Sequence, residues 1–195
     1  MDYNREDILK LLEELNLNEH IEPKEIPSID LYMDQVITLF ESNLSNSKRY
    51  DEDKLLTKTM INNYTKDKLL IPAKKKKYSK NHIILMILIY NLKQNLSILD
   101  IKSLFNDMVV NLQQEGGEKI NLEEIYKKFL HIKNLQTIEA EDQINALISK
   151  VEEQLSDKDD EGYEKLLITV LCLINSANTQ KRLAEKIIDK YFRHI

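Results

Sequence analysis

Leu56-Thr57-Lys58-Thr59-Met60-Ile61-Asn62-Asn63-Tyr64, then Leu69-Leu70-Ile71-Pro72, then Lys74-Lys75-Lys76-Lys77-Tyr78-Ser79 follow one another in a single basic stretch, and their order decides how the chain is read. Thr57 is placed to N-cap a short helix that carries Met60, Ile61 and Tyr64 and ends near Lys68. Leu69, Leu70 and Pro72 leave that helix in an extended turn, because the residue before a proline avoids helical geometry. Lys74 to Lys77 form a four-lysine tip closed by Tyr78, and Ser79 caps the next helix, which begins near Lys80. The apolar run 83–90 resembles a buried strand, but its continuation to Lys93 and its capping serine make it a helix. Ser97 caps another, in which Ile98, Ile101, Leu104, Phe105, Met108 and Leu112 keep one stripe.

Charge singles out the same stretch. Residues 54–80 hold nine lysines against one acid, Asp67, a local net of +8 in a chain of net −5, so the remainder carries −13. Segregated lysines suit a polyanion, because a phosphate backbone rewards clustered cations with counterion release. A lysine-rich solvated face gives the same pattern from charge alone.

In sequence order these elements resemble the DNA-binding domain of the MerR family: second helix, Leu-Leu-x-Pro exit, basic wing, Tyr-Ser, and the helix opened by Leu96-Ser97-Ile98-Leu99-Asp100-Ile101. The likeness is ungapped over residues 56–72, spans 56–105, and reaches the helix 29–40 as a weaker first helix of the motif. It implies a mainly α fold, a MerR-like winged helix-turn-helix followed by a helical C-terminal region. The helix 57–67 would read DNA and the lysine-rich wing 73–78 would hold it. The whole chain is also similar to an uncharacterised family of low-GC Gram-positive bacteria containing this motif. The sequence departs from the MerR pattern at Lys68, where a glycine is usual, and at Asn62, where an arginine is usual. The loop before the second helix is longer and the wing shorter. No sensor cysteines accompany the domain, so no metal response is implied.

Read physically, Lys58, Thr59, Asn62, Asn63 and Lys66 are offered to a major groove, where asparagine pairs bidentately with adenine and lysine grips phosphate. Tyr64 serves either as a packing ring or as a phosphate donor. Lys74, Lys75, Lys76, Lys77 and Tyr78 complete the DNA-binding set. The segment contains no arginine, so the favoured guanine contact is missing and an A·T-rich site is expected.

In the whole chain, three glycines and three prolines leave few turns, and helical spacing recurs. Helices are expected over 4–15, with Asn4 as N-cap, and over 29–40, with a linker at 20–27 and a loop at 41–53. After Gly116-Gly117, Asn121 and Glu124 open a helix to about Lys133. Further helices are expected over 138–155, 163–176 and 179–192, with an acidic break at 156–162. Three segments result: 1–28, N-terminal helix and linker; 29–115, the winged helix-turn-helix; 118–195, a helical dimerisation or effector region. A single monomeric core would explain the last segment equally.

Residues 1–10 are polar and acidic, unlike a signal peptide, and the apolar run 83–90 is far shorter than the roughly 20 residues a bilayer needs. The only cysteine, Cys172, cannot form an internal disulfide, which with the absence of a signal points to the cytoplasm. Catalysis is not expected: His20, His82, His131 and His194 stand singly, and no metalloprotease, nucleophile-elbow, dinucleotide or P-loop motif is present. Asp159-Asp160-Glu161 reads as a solvated acidic turn. No cofactor or metal is expected. The expected function is a DNA-binding transcriptional regulator with double-stranded DNA as partner, a homodimer as a further expectation, and no effector named. The alternative is a helical interaction or assembly module whose basic segment binds an acidic partner; an architectural DNA binder resembling excisionases is a third.

Overall fold

Local caps and apolar spacing agree at most helix starts. The computed structural model describes residues 3–114, 120–155 and 162–193. Among these, seven α-helices and one two-stranded sheet are present: α1 (Arg5–Glu14), β1 (Leu31–Tyr32), α2 (Met33–Leu44), α3 (Lys58–Lys66), β2 (Lys77–Tyr78), α4 (Lys80–Leu92), α5 (Ile98–Gln113), α6 (Leu122–Gln154) and α7 (Gly162–Tyr191). The fold is therefore mainly α. Asn4 accepts from the Glu6 N–H at 2.9 Å, Thr57 from Met60 at 3.1 Å and Ser97 from Asp100 at 3.1 Å, each relieving an orphan donor of its helix. None of these helices is long and apolar enough to cross a membrane.

The chain divides by contact into two compact units, Met1–Asn18 with His131–Leu183, and Glu19–Leu130 with Ala184–Ile195. These units interleave along the chain, whereas the segments read from the sequence are consecutive. The pair Gly116-Gly117 and the acidic residues 156–161 lie outside the described residues.

The second unit is built round α4, whose residues from His82 to Ile89 are all buried. A helix apolar on every side needs neighbours on every side. Val36, Phe40 and Leu44 of α2, Ile61 and Tyr64 of α3, Ile101, Phe105 and Val109 of α5, and Leu122, Tyr126 and Leu130 of α6 complete the same core. Phe40 meets Tyr90 edge to face, with ring centroids 6.2 Å apart. The segment 20–27 is more than a linker: Ile21 and Ile26 are buried, and the Tyr126 hydroxyl donates to the Ile21 carbonyl at 2.7 Å. Near the chain's end Arg193 reaches the Asp100 carboxylate at 2.8 Å.

In the first unit, Ile148, Val151 and Thr169 are buried. Arg5 of α1 bonds Glu152 at 2.9 Å and Asn145 at 3.1 Å, and Tyr3 donates to Glu152 at 3.0 Å.

Expected helix boundaries change in four places, the first being the end of α2, which runs on to the buried Leu44 instead of stopping at Phe40, so the loop expected over 41–53 is shorter. Helix α2 begins at Met33 rather than Ile29, because Leu31 and Tyr32 are extended and paired with Tyr78 and Lys77; Ile29 faces solvent. The helices expected over 121–133 and 138–155 are one, α6, and those over 163–176 and 179–192 are one, α7. Neither Asn134-Leu135-Gln136-Thr137 nor Asn175-Ser176-Ala177-Asn178 holds a proline or glycine, so a lapse in apolar spacing there does not break the backbone hydrogen bonding.

Candidate nucleic-acid interface

Helix α3 sorts its side chains cleanly. Ile61 and Tyr64 are buried, while Lys58, Thr59, Asn62, Asn63 and Lys66 are exposed, a set that a 3.6-residue period places on one side of the helix. Tyr64 thus belongs to the core, and burial raises its hydroxyl pKa. Tyr78 is buried too, its ring edge to face with His82 at 5.7 Å. Of the eleven residues expected at the interface, these two tyrosines sit beneath the surface that the lysines and asparagines form.

The end of α3 is fixed by backbone geometry. The Leu69 N–H donates to the Tyr64 carbonyl at 2.8 Å and that of Lys68 to Thr65 at 3.1 Å, the paired bonds of a Schellman cap. Such a cap needs a left-handed residue, and Lys68 supplies it with φ 62° where a glycine would be unstrained. Leu69 and Leu70 are buried directly afterwards, which returns the chain to the core before Pro72.

The lysine tip is a tight hairpin. Lys74 and Lys77 exchange backbone bonds of 3.1 and 3.0 Å, and the two central residues, Lys75 and Lys76, have φ of 52° and 64°. Positive φ at both positions is the signature of a type I′ turn, which favours Asn-Gly; two lysines there cost on the order of 1 kcal/mol or more each. Lys74, Lys75 and Lys76 are exposed and form no ion pair among the described residues; nor does Lys66. Lys77 is half-buried, its ammonium 5.1 Å from the centre of the Tyr32 ring.

That contact introduces a part of the surface the sequence reading missed. Antiparallel pairing of Tyr32 with Lys77 brings the start of α2 beside the hairpin. Tyr32 is 53 % exposed; its N–H donates to Gln35 at 2.8 Å, and Asp34 in the next turn of chain pairs with Lys58 of α3 at 2.7 Å. Both partners of that ion pair are largely exposed, so it adds little stability, but its acid tempers the basic field at the N-terminus of α3. Two-residue strands leave no periodic signal, which is why Tyr32 and Gln35 were not found from spacing. At the other end of α3 a cavity of about 280 Å³ opens between Lys66, Asp67 and Lys68 and the first turns of α5, where Ile98, Leu99 and Lys102 line it.

Residues 21–129 match a domain of unknown function, DUF1836. The chain belongs to the DUF1836 family. No curated protein and no solved structure matches it. The DUF1836 residues coincide closely with the contiguous part of the second compact unit, Glu19–Leu130, so the family is defined by α2 to α5 together with the start of α6 and the hairpin. Among the described residues of the chain, no group of three His, Cys, Asp or Glu side chains is placed to hold a metal ion.

Within the DUF1836 region His82 links the hairpin to the core. Its Nδ1 accepts from the Ser79 N–H at 3.1 Å and lies 2.7 Å from the Ser79 hydroxyl, while Nε2 faces the Pro72 carbonyl at 3.4 Å. Burial lowers its pKa below 6.5, with the Pro72 carbonyl and Asp30 acting in the opposite direction. A histidine neutral in the fold and titrating near 6.5 when unfolded stabilises fully above pH 6.5 and loses that contribution as pH falls through its folded value. The thermal midpoint should therefore fall on acidification from pH 6.5, by up to about 1.4 kcal/mol of stability per pH unit for one proton. His82→Gln keeps an N3 acceptor for the cap without the titration, so its profile should be flatter. Equal slopes in the two proteins would show that His82 does not carry the effect.

Proposed function

We propose that the chain is a DNA-binding transcriptional regulator with a MerR-like winged helix-turn-helix, α3 lying in a major groove and the hairpin 74–77 gripping backbone phosphate. The observation that carries the reading is the sorting of α3: Lys58, Thr59, Asn62, Asn63 and Lys66 outward, Ile61 and Tyr64 inward, beside a lysine-tipped hairpin. The order β1, α2, α3, hairpin, α4, with β1 paired to the hairpin's outgoing strand, supports the winged motif. Lysines grip phosphate, and the asparagines read base edges. No catalytic chemistry enters this reading.

One observation favours the second reading, a module that binds an acidic protein. The cavity at the end of α3 combines Lys66, Lys68 and Lys102 with the exposed side chains of Ile98 and Leu99, and apolar groups suit a peptide better than a phosphate.

Selection of bound fragments from a genomic DNA library separates the two, since a regulator enriches one sequence motif. On the selected site, Asn62→Ala or Asn63→Ala should cost roughly 1–3 kcal/mol in affinity and leave random-sequence binding nearly unchanged. Equal losses on both DNAs would remove α3 as the recognition helix. No enriched motif, together with capture of an acidic peptide lost on Lys68→Ala, would favour the second reading.

A further inference from the structure

The first half of α7 is covered on its less apolar side. Lys165, Ile168, Thr169 and Cys172, which point one way round the helix, are buried or partly buried, and the Lys165 ammonium lies 5.9 Å from the Tyr3 ring of α1. The opposite side carries Tyr163, Leu167, Val170, Leu171 and Ile174, each between 42 and 58 % exposed. An apolar helix in a soluble unit ordinarily turns its larger aliphatic side chains to the core; here they face out.

The geometry points to a second copy of this chain as the cover, the two α7 faces packing against each other. Tyr163, Leu167, Val170 and Ile174 fall at i, i+4, i+7 and i+11, the alternating four and three spacing of a helix–helix seam, and Leu171 widens the stripe beside it. At their observed exposures these five side chains leave roughly 500 Å² of apolar surface on one copy, already the size of the largest patch on a typical monomer. Two copies together would bury about 1,000 Å², where specific interfaces begin. Ile132, Leu135 and Ile138 of α6, also exposed in this unit, add to the area available. A face that pairs with itself is isologous, so it closes at two copies rather than growing into a fibre. The inference stands whether or not α3 reads DNA.

Sedimentation equilibrium of the full-length chain without DNA tests it. The wild-type protein should be a dimer at low micromolar concentration, and Leu167→Glu with Ile174→Glu should weaken association at least a hundredfold. Both positions are exposed, so helical circular dichroism and the thermal midpoint of the dilute protein should be retained; Val170→Gln, a milder change on the same stripe, should weaken association to a smaller degree. A wild-type protein that stays monomeric at 100 µM, ~50-fold above that range, overturns the inference, whatever else covers the face. So does a folded glutamate variant that dimerises as well as wild type.

Discussion

On the proposed DNA-binding reading, replacing Lys74, Lys75, Lys76 and Lys77 together by alanine should lower affinity for every duplex alike, by roughly fortyfold to three-hundredfold near 0.15 M salt. The size follows from counterion release, because each phosphate contact contributes about 0.9 to the slope of log affinity against log salt, and three of these lysines stand exposed with no ion pair among the described residues. That slope should accordingly fall by roughly 2 to 3. Alanine also disturbs the turn, since Lys75 and Lys76 hold positive φ. The pair Lys75→Asn with Lys76→Gly separates the two effects: Asn-Gly is the favoured sequence for this turn, so the hairpin is kept or strengthened while two charges are lost. Salt-dependent titration by fluorescence anisotropy should show about two-thirds of the slope change in that variant. An unchanged slope in both variants would mean that the hairpin does not touch the phosphate backbone.

The second large effect is on stability. Phe40 is fully buried, lies edge to face with Tyr90 and joins α2 to the core round α4. Phe40→Ala should cost about 3–5 kcal/mol, the sum of lost transfer energy and a cavity that helices on several sides cannot close. Small domains have only about 5–15 kcal/mol in hand, so urea unfolding should shift to a much lower midpoint with a similar slope. A loss under about 1 kcal/mol would show that Phe40 is not a packing anchor.

What could be read from the residues alone follows the range of the interactions. Asn4, Thr57, Ser79 and Ser97 mark helix starts through bonds spanning two or three residues, and all four are placed as their neighbours dictate. The outward set on α3 is legible for the same reason, being a matter of period. Tyr64 is ambiguous in sequence because a ring with a hydroxyl suits either a core or a phosphate, and only the packing of α3 decides for the core. The strand Leu31–Tyr32 is invisible because its partner is Tyr78 and Lys77, dozens of residues away, and two residues cannot show alternation. At 134–137 and 175–178 a lapse of apolar spacing is not a lapse of helix, because residues of modest helix propensity without proline or glycine are carried by the turns on either side.

Pairing of Leu31 with Tyr78 also fixes an order of events in time. A two-stranded ribbon this short is not stable by itself in water. Its strands meet only after the chain between them, including α2 and α3, has collapsed, because closing so long a loop costs entropy before any contact returns it. The pairing that holds the lysine tip against α2 is thus expected to form late in folding of the second unit and to be released early when its core loosens. If the proposed DNA-binding reading holds, grip on phosphate should therefore be lost together with the integrity of the core around α4.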